Sequence, residues 1–156
     1  MKKILFVCLG NICRSSTANG VMEHLLKEEG LDKKYVVDSA GTSGYHEGSL
    51  PDSRMRRHSI KRGYDLTHLS RPVKVEDFYK FDLIIGMDDQ NISDLKEFAP
   101  SPVEQKKIRR MVEFLVDKEA THIPDPYYGG AEGFELVLDL LEDSCAGLLT
   151  YLTQDN

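Results

Sequence analysis

A thiol and a guanidinium frame the segment Val7-Cys8-Leu9-Gly10-Asn11-Ile12-Cys13-Arg14-Ser15, with five residues between Cys8 and Arg14. A cysteine nucleophile beside an arginine describes an anion pocket in which sulfur can attack the phosphorus of an ester. The thiolate is the attacking form, so such a pocket must favour the sulfur anion. Arg14 suits a bidentate grip on two phosphoryl oxygens, which a lysine cannot copy. Ser15 can donate a hydrogen bond to the Cys8 sulfur and ease its departure when a thiophosphate breaks down. Gly10 lets the backbone turn and approach the oxygens closely. Asn11 tolerates a left-handed conformation, and its side chain can pin the loop. Main-chain amides from Leu9 to Cys13 would complete a cradle open to phosphate esters, inorganic phosphate and other oxyanions.

Such a loop needs a strand to deliver the cysteine and a helix to receive the arginine. The apolar run Ile4-Leu5-Phe6-Val7 predicts a buried strand over Lys3 to Val7. A helix should start near Ser15 or Ser16, with Ala18, Val21, Met22, Leu25 and Leu26 on one face and Gly30 ending it. Its N-terminus would aim free amides and a positive dipole end at the pocket. Tyr35-Val36-Val37 forms a second strand leading into Asp38-Ser39-Ala40-Gly41, and Thr42 to Pro51 reads as a surface loop. Asp52 to Arg62 suits a basic helix stopped by Gly63, and a short helix fits Val75 to Tyr79. Asp82 to Met87 is a third strand, with Asp88-Asp89 starting a helix to about Phe98. A fourth strand fits Ile108 to Val112. Phe134, Val137, Leu138, Leu141, Cys145, Leu148, Leu149 and Leu152 then mark one face of a final helix. The alternation implies an α/β fold whose parallel sheet is covered on both faces. Ligands of such sheets bind beyond the carboxyl ends of strands, where the Cys8 loop falls.

At 156 residues, one domain can bury a full core without disulfide staples. Three cysteines, an odd count, do not form a secreted disulfide framework and fit a reducing cytoplasm. Met1-Lys2-Lys3 runs straight into the first strand with no cleavable signal pattern, and no apolar stretch suits a bilayer. The net charge of −6 argues against nucleic-acid binding, so any phosphate site must rely on a local field. Two basic clusters, Arg54-Arg56-Arg57-Lys61-Arg62 and Lys106-Lys107-Arg109-Arg110, read as solvated helix faces. The first could alternatively dock acidic partners. Cys8 and Cys13 lack a second ligand pair at suitable spacing, so no metal is expected.

The loop sequence resembles the signature of the low-molecular-weight protein tyrosine phosphatases. Further matches follow in that family's order: Asp38-Ser39-Ala40-Gly41-Thr42-Ser43-Gly44-Tyr45, Phe81-Asp82 with Met87-Asp88, and Asp125-Pro126-Tyr127-Tyr128-Gly129. They cover essentially the whole chain. The resemblance implies a single domain with a four-stranded parallel sheet of order 2-1-3-4 flanked by helices, and no cofactor. It implies hydrolysis of phosphotyrosine proteins or small aryl phosphates through a phosphocysteine on Cys8. Asp125 would then be the general acid and base, in a loop stiffened by Pro126. Tyr45 and Tyr127 would be pocket walls, with His46 at the rim and Tyr128 either at the rim or a target of modification. Asn11, Ser15, Ser39 and His68 would hold the loop preformed. Asp88 would either orient Arg14 or cap the following helix. Cys13 would pair reversibly with the nucleophile, or simply pack beneath the loop.

Two positions depart from the family pattern: Ser16 stands where proline is usual, and Asn19 where glutamate is usual. Ser16 can cap the helix in the proline's place. Two relatives on the same fold fit less well. Thioredoxin-linked arsenate reductases need relay cysteines, and none lies between Cys13 and Cys145. Protein-arginine phosphatases carry threonine where this chain has Ile12.

Overall fold

The strand that carries the cysteine is apolar at every inner position, and it lies at the centre of the molecule. In the computed structural model, which describes residues 1–154, β1 (Lys2–Cys8) has Ile4, Leu5, Phe6 and Val7 completely buried. Its side chains alternate between two cores, as the period of a strand requires. Ile4, Phe6 and Cys8 enter a large cluster on one face, and Leu5 and Val7 enter a smaller one on the other. A strand buried on both faces reads as a continuous apolar run, which explains the lack of alternation in its sequence.

The chain continues through α1 (Arg14–Glu28), β2 (Tyr35–Gly41), α2 (Ser53–Ile60), α3 (Val75–Lys80), β3 (Leu83–Gly86), α4 (Asp89–Phe98), α5 (Pro102–Gln105), β4 (Ile108–Arg110) and α6 (Ala131–Thr153). All strand pairs are parallel, and the sheet order is β2-β1-β3-β4, as the resemblance implied. The larger core takes Ala18, Val21, Met22 and Leu26 from α1, Met55 from α2, and Phe134, Val137, Leu138, Leu141, Cys145, Leu148 and Leu152 from α6. Recurring at three and four residues, these α6 side chains form one stripe. Phe78 of α3 and Leu95 of α4 cover the other face.

Local chemistry sets the boundaries. Asp52 caps α2 by accepting from the Arg54 and Met55 amides. Gly63, at φ 93, lets the chain leave that helix through a left-handed turn. The fourth strand is shorter than its pattern suggests, because the chain turns into a 3-10 helix over Met111–Phe114. Met111 and Phe114 are both buried there, and a 3-10 turn aligns residues three apart. Ser16 does not cap α1. Its hydroxyl donates to the Cys13 carbonyl at 3.2 Å, and Thr17 does the same at 2.5 Å. The helix start is instead fastened through the loop that precedes it.

Candidate active site

The Cys8 loop bridges the carboxyl end of β1 and the first turn of α1. The sulfur receives the Asn11 amide at 3.3 Å and lies 3.0 Å from the Ser15 hydroxyl. Asn11 has φ 58, the only positive value among the described non-glycine residues. Its side chain meets the cost of that conformation by knitting the loop together. Nδ2 donates to Ser15 Oγ at 2.8 Å and to Ser39 Oγ at 3.0 Å, and Oδ1 accepts the Arg71 amide at 3.1 Å. Among the described residues, the amides of Gly10, Ile12 and Cys13 donate to no other group of the protein. Gly10, Ile12 and Cys13 line the same cleft as Cys8. Gly10 does not have a positive φ, and a Cβ there would sit 3.0 Å from the His46 ring, a tight contact that the ring would have to yield to.

Arg14 is only 2 % exposed, and its two edges have different tasks. Nη1 is anchored, donating to Asp88 Oδ2 at 2.6 Å and to the Ile123 carbonyl at 3.0 Å. Nε has no hydrogen-bond partner, and Nη2 makes only a 3.6 Å ion pair with Asp125. The Nε–Nη2 fork is therefore the edge left without a hydrogen bond. Burial alone would weaken the cation, but the charge of Cys8 and the bond to Asp88 raise it above its ordinary pKa. Burial also opposes ionisation of Asp88, yet its bonds from Arg14 and the Asn91 amide hold it below the usual carboxylate range. Asp88 performs both tasks left open by the sequence, orienting Arg14 and capping α4.

Asp125 approaches from the opposite side on a loop held at three points. The Ile123 amide donates to Met87 at the end of β3, and Arg14 binds the Ile123 carbonyl. Arg54 donates to the Tyr127 carbonyl at 2.8 Å while paired with Asp52, and its guanidinium stacks on the rings of Tyr127 and Phe134. The Asp125 carboxylate accepts the Tyr127 amide at 3.1 Å.

These groups enclose a cleft of about 440 Å³ that also includes Leu9, Ile12, Ser43, Tyr45, His46 and Tyr128. Tyr45 and His46 meet edge to face, as do Tyr127 and Tyr128, giving the cleft an aromatic rim. Tyr45 and Tyr128 are almost fully exposed. Cys13 lines the same cleft, but burial pushes its thiol pKa far up, with Asp52 and Cys8 adding to the effect. Cys145 is inert packing on α6. His68 lies farther out than the rest: Nδ1 is 3.5 Å from Asp38, whose other oxygen binds Arg71. Its link to the loop therefore runs through Asp38, Arg71 and Asn11.

Several supporting residues escaped the sequence reading. Arg71 bridges Asp38 and Asp77, and Ser70 donates to the Gly10 carbonyl at 2.9 Å. Ser43, Asp52 and Arg54 also belong here. Each acts on a segment remote in the chain, and only the run around Asp38-Ser39 carried a signal.

Fold and cleft together define a cysteine-centred oxyanion pocket on a parallel α/β sheet. A family model described as low molecular weight phosphotyrosine protein phosphatase matches residues 3–156. The chain belongs to that family and is an enzyme of the protein-tyrosine-phosphatase class. It is 38% identical over 149 residues to the human low molecular weight phosphotyrosine protein phosphatase, covering 95% of this chain and 94% of that one. A solved protein tyrosine phosphatase from Entamoeba histolytica, with Hepes in its active site, is 46% identical with a TM-score of 0.96 and 99% coverage of both chains. The Drosophila arginine phosphatase is similar in fold, with a TM-score of 0.91, 33% identity and 100% coverage of both chains.

Proposed function

We propose that this protein hydrolyses phosphotyrosine and other aryl phosphate monoesters through a phosphocysteine on Cys8. The observation that carries this reading is the buried Nε–Nη2 fork of Arg14, which makes no hydrogen bond and meets only Asp125, in the same cleft as Cys8 and the free loop amides. In the first step the Cys8 thiolate forms a bond to phosphorus while the phosphorus–phenolate bond breaks. Asp125 gives its proton to the departing oxygen. In the second step Asp125 takes a proton from water, the new phosphorus–oxygen bond forms, and the Cys8 sulfur leaves. Ser15, 3.0 Å from that sulfur, stabilises it as it departs. Arg14 and the loop amides hold the equatorial oxygens throughout, already oriented by Asp88, Asn11 and Ser39. His68 supports the same network through Asp38.

Tyr45, His46, Tyr127 and Tyr128 give an aromatic ring flat surfaces to pack against. Ile12 brings an alkyl side chain with no hydroxyl to the cleft, which suits an aryl ester better than a phosphorylated guanidinium. Cys13, whose thiol lines the same cleft as Cys8, is read as the partner that closes a disulfide on a Cys8 oxidised by peroxide to a sulfenic acid, with loss of water. Inorganic phosphate and similar oxyanions should compete with substrate. The test is hydrolysis of an aryl phosphate by wild type, Cys8→Ser and Asp125→Ala, with rapid quenching to capture phosphorus on sulfur. Wild-type turnover no faster than that of Cys8→Ser would overturn the reading.

A further inference from the structure

The outer face of α2 has no role in the chemistry above, yet it carries a concentration of positive charge. Arg54 and Arg62 are already engaged. The former holds Asp52 and Tyr127, and the latter meets Glu135, Asp139 and Glu142 on α6. Arg56, Arg57 and Lys61 differ: among the described residues none of the three forms an ion pair or a side-chain hydrogen bond, and Arg57 and Lys61 are exposed. Spaced at three, four and seven residues, Ser53, Arg56, Arg57 and Ile60 fall on one side of the helix. With Asp65 they line an open groove of about 390 Å³. Ile60, 56 % exposed, forms an apolar floor between the cations, and Asp65 is the one carboxylate on the wall. In a molecule of net charge −6, three uncompensated cations on one helix face form a local field of opposite sign.

This face begins at the catalytic cleft. The Asp52 amide, immediately before α2, donates to the Ile12 carbonyl of the Cys8 loop at 2.8 Å. Each helical residue adds about 1.5 Å, so Arg57 lies about 6 Å and Lys61 about 12 Å beyond Ser53 along the axis. An extended peptide advances about 3.3 Å per residue and spans that distance in about two to four residues.

We propose that α2 is a docking surface for substrate proteins with acidic residues about two to four positions from the phosphotyrosine. This rests on the phosphatase reading and names its substrate class. Arg56, Arg57 and Lys61 pair with the carboxylates, and Ile60 packs under the peptide between them.

The test uses phosphotyrosine peptides that differ only in carrying Glu, Gln or Lys at those positions, on either side of the phosphotyrosine. Affinity is measured on Cys8→Ser protein, so docking is read even where turnover fails, and kcat/KM is measured on the active enzyme. The Glu peptide should be favoured over Gln by about tenfold at low salt, the product of a few exposed pairs, and the preference should vanish near 0.5 M salt. Arg57→Glu with Lys61→Glu should abolish or reverse it, leaving turnover of a small aryl phosphate unchanged. Arg57→Gln with Lys61→Gln should give an intermediate preference. Equal affinity for Glu and Gln peptides, or a preference that survives charge reversal, would overturn the proposal. It would also fall if the reversed protein lost only its binding to phosphatidylserine vesicles, because the patch would then serve a membrane surface. Failure of wild type to cleave even the aryl phosphate would strike the catalytic reading and leave the Cys8→Ser affinities to decide docking.

Discussion

Replacing Asp88 by Asn removes one charge and little else. The amide oxygen can still accept the Asn91 amide that caps α4, so the helix start is retained. The guanidinium of Arg14 is not so easily satisfied. Its side chain is 3% exposed against 25% for Asp88, and their contact at 2.6 Å is its shortest bond. Breaking a buried pair from one side costs about 3–5 kcal/mol, because the remaining charge stays out of water. Asp88 is partly solvated, and the Ile123 carbonyl still accepts from Nη1, which places the loss near the lower end, about 3 kcal/mol. With an m-value of about 2 kcal/mol/M, the urea midpoint should fall by about 1.5 M at pH 7. The pH dependence provides a second check. Asp88 is held below the usual carboxylate range, so its contribution is complete above that range and is lost as pH falls through its folded value. The gap between wild type and Asp88→Asn should therefore narrow as urea titrations move from pH 7 to pH 3. A loss under 0.5 kcal/mol at pH 7, or a gap that persists unchanged at pH 3, would refute the reasoning.

Asp125→Asn should lower kcat on phenyl phosphate by about 10²- to 10⁴-fold, and the alkaline limb of the pH–rate profile should disappear. Steady-state rates across pH would show both. Asn11→Ala and Asn11→Gly should both weaken turnover by releasing Ser15 and Ser39. Alanine must also hold φ 58, so it should be less stable than glycine by about 1 kcal/mol in urea unfolding. Gly147→Ala places a methyl 1.8 Å from the Phe114 carbonyl oxygen, forcing α6 away from the 3-10 turn. A loss of about 3 kcal/mol or more is expected by urea unfolding, without any change at the cleft itself.

The parts legible in sequence were those whose physics is local. Cys8, Asn11, Arg14 and Ser15 lie within eight residues, and their types alone suggest the pocket. The stripe on α6 and the buried run of β1 announce their own periods. Asp125 was found only through resemblance, because an Asp-Pro pair has many ordinary uses. Arg71 and Ser70 stayed hidden since their partners, Asn11 and Gly10, are 60 positions away. The basic cluster on α2 read as one solvated face, yet it divides into engaged and free members. Carboxylates on α6 engage Arg62, and the Tyr127 carbonyl together with Asp52 engages Arg54, so most of that division is made by residues far along the chain. The end of β4 was also obscure: a strand and a 3-10 turn both use Met111 as an inward residue, and the buried partner at Phe114 decides between them.

Cys8 terminates the most deeply enclosed strand of the sheet, with a core pressed against each side. Amides of that strand can exchange with deuterium only when the entire domain opens. Heat inactivation should consequently follow the cooperative loss of the whole fold, without an earlier fraying at the sulfur. A protein so built keeps its Cys8 pocket for as long as it keeps its fold.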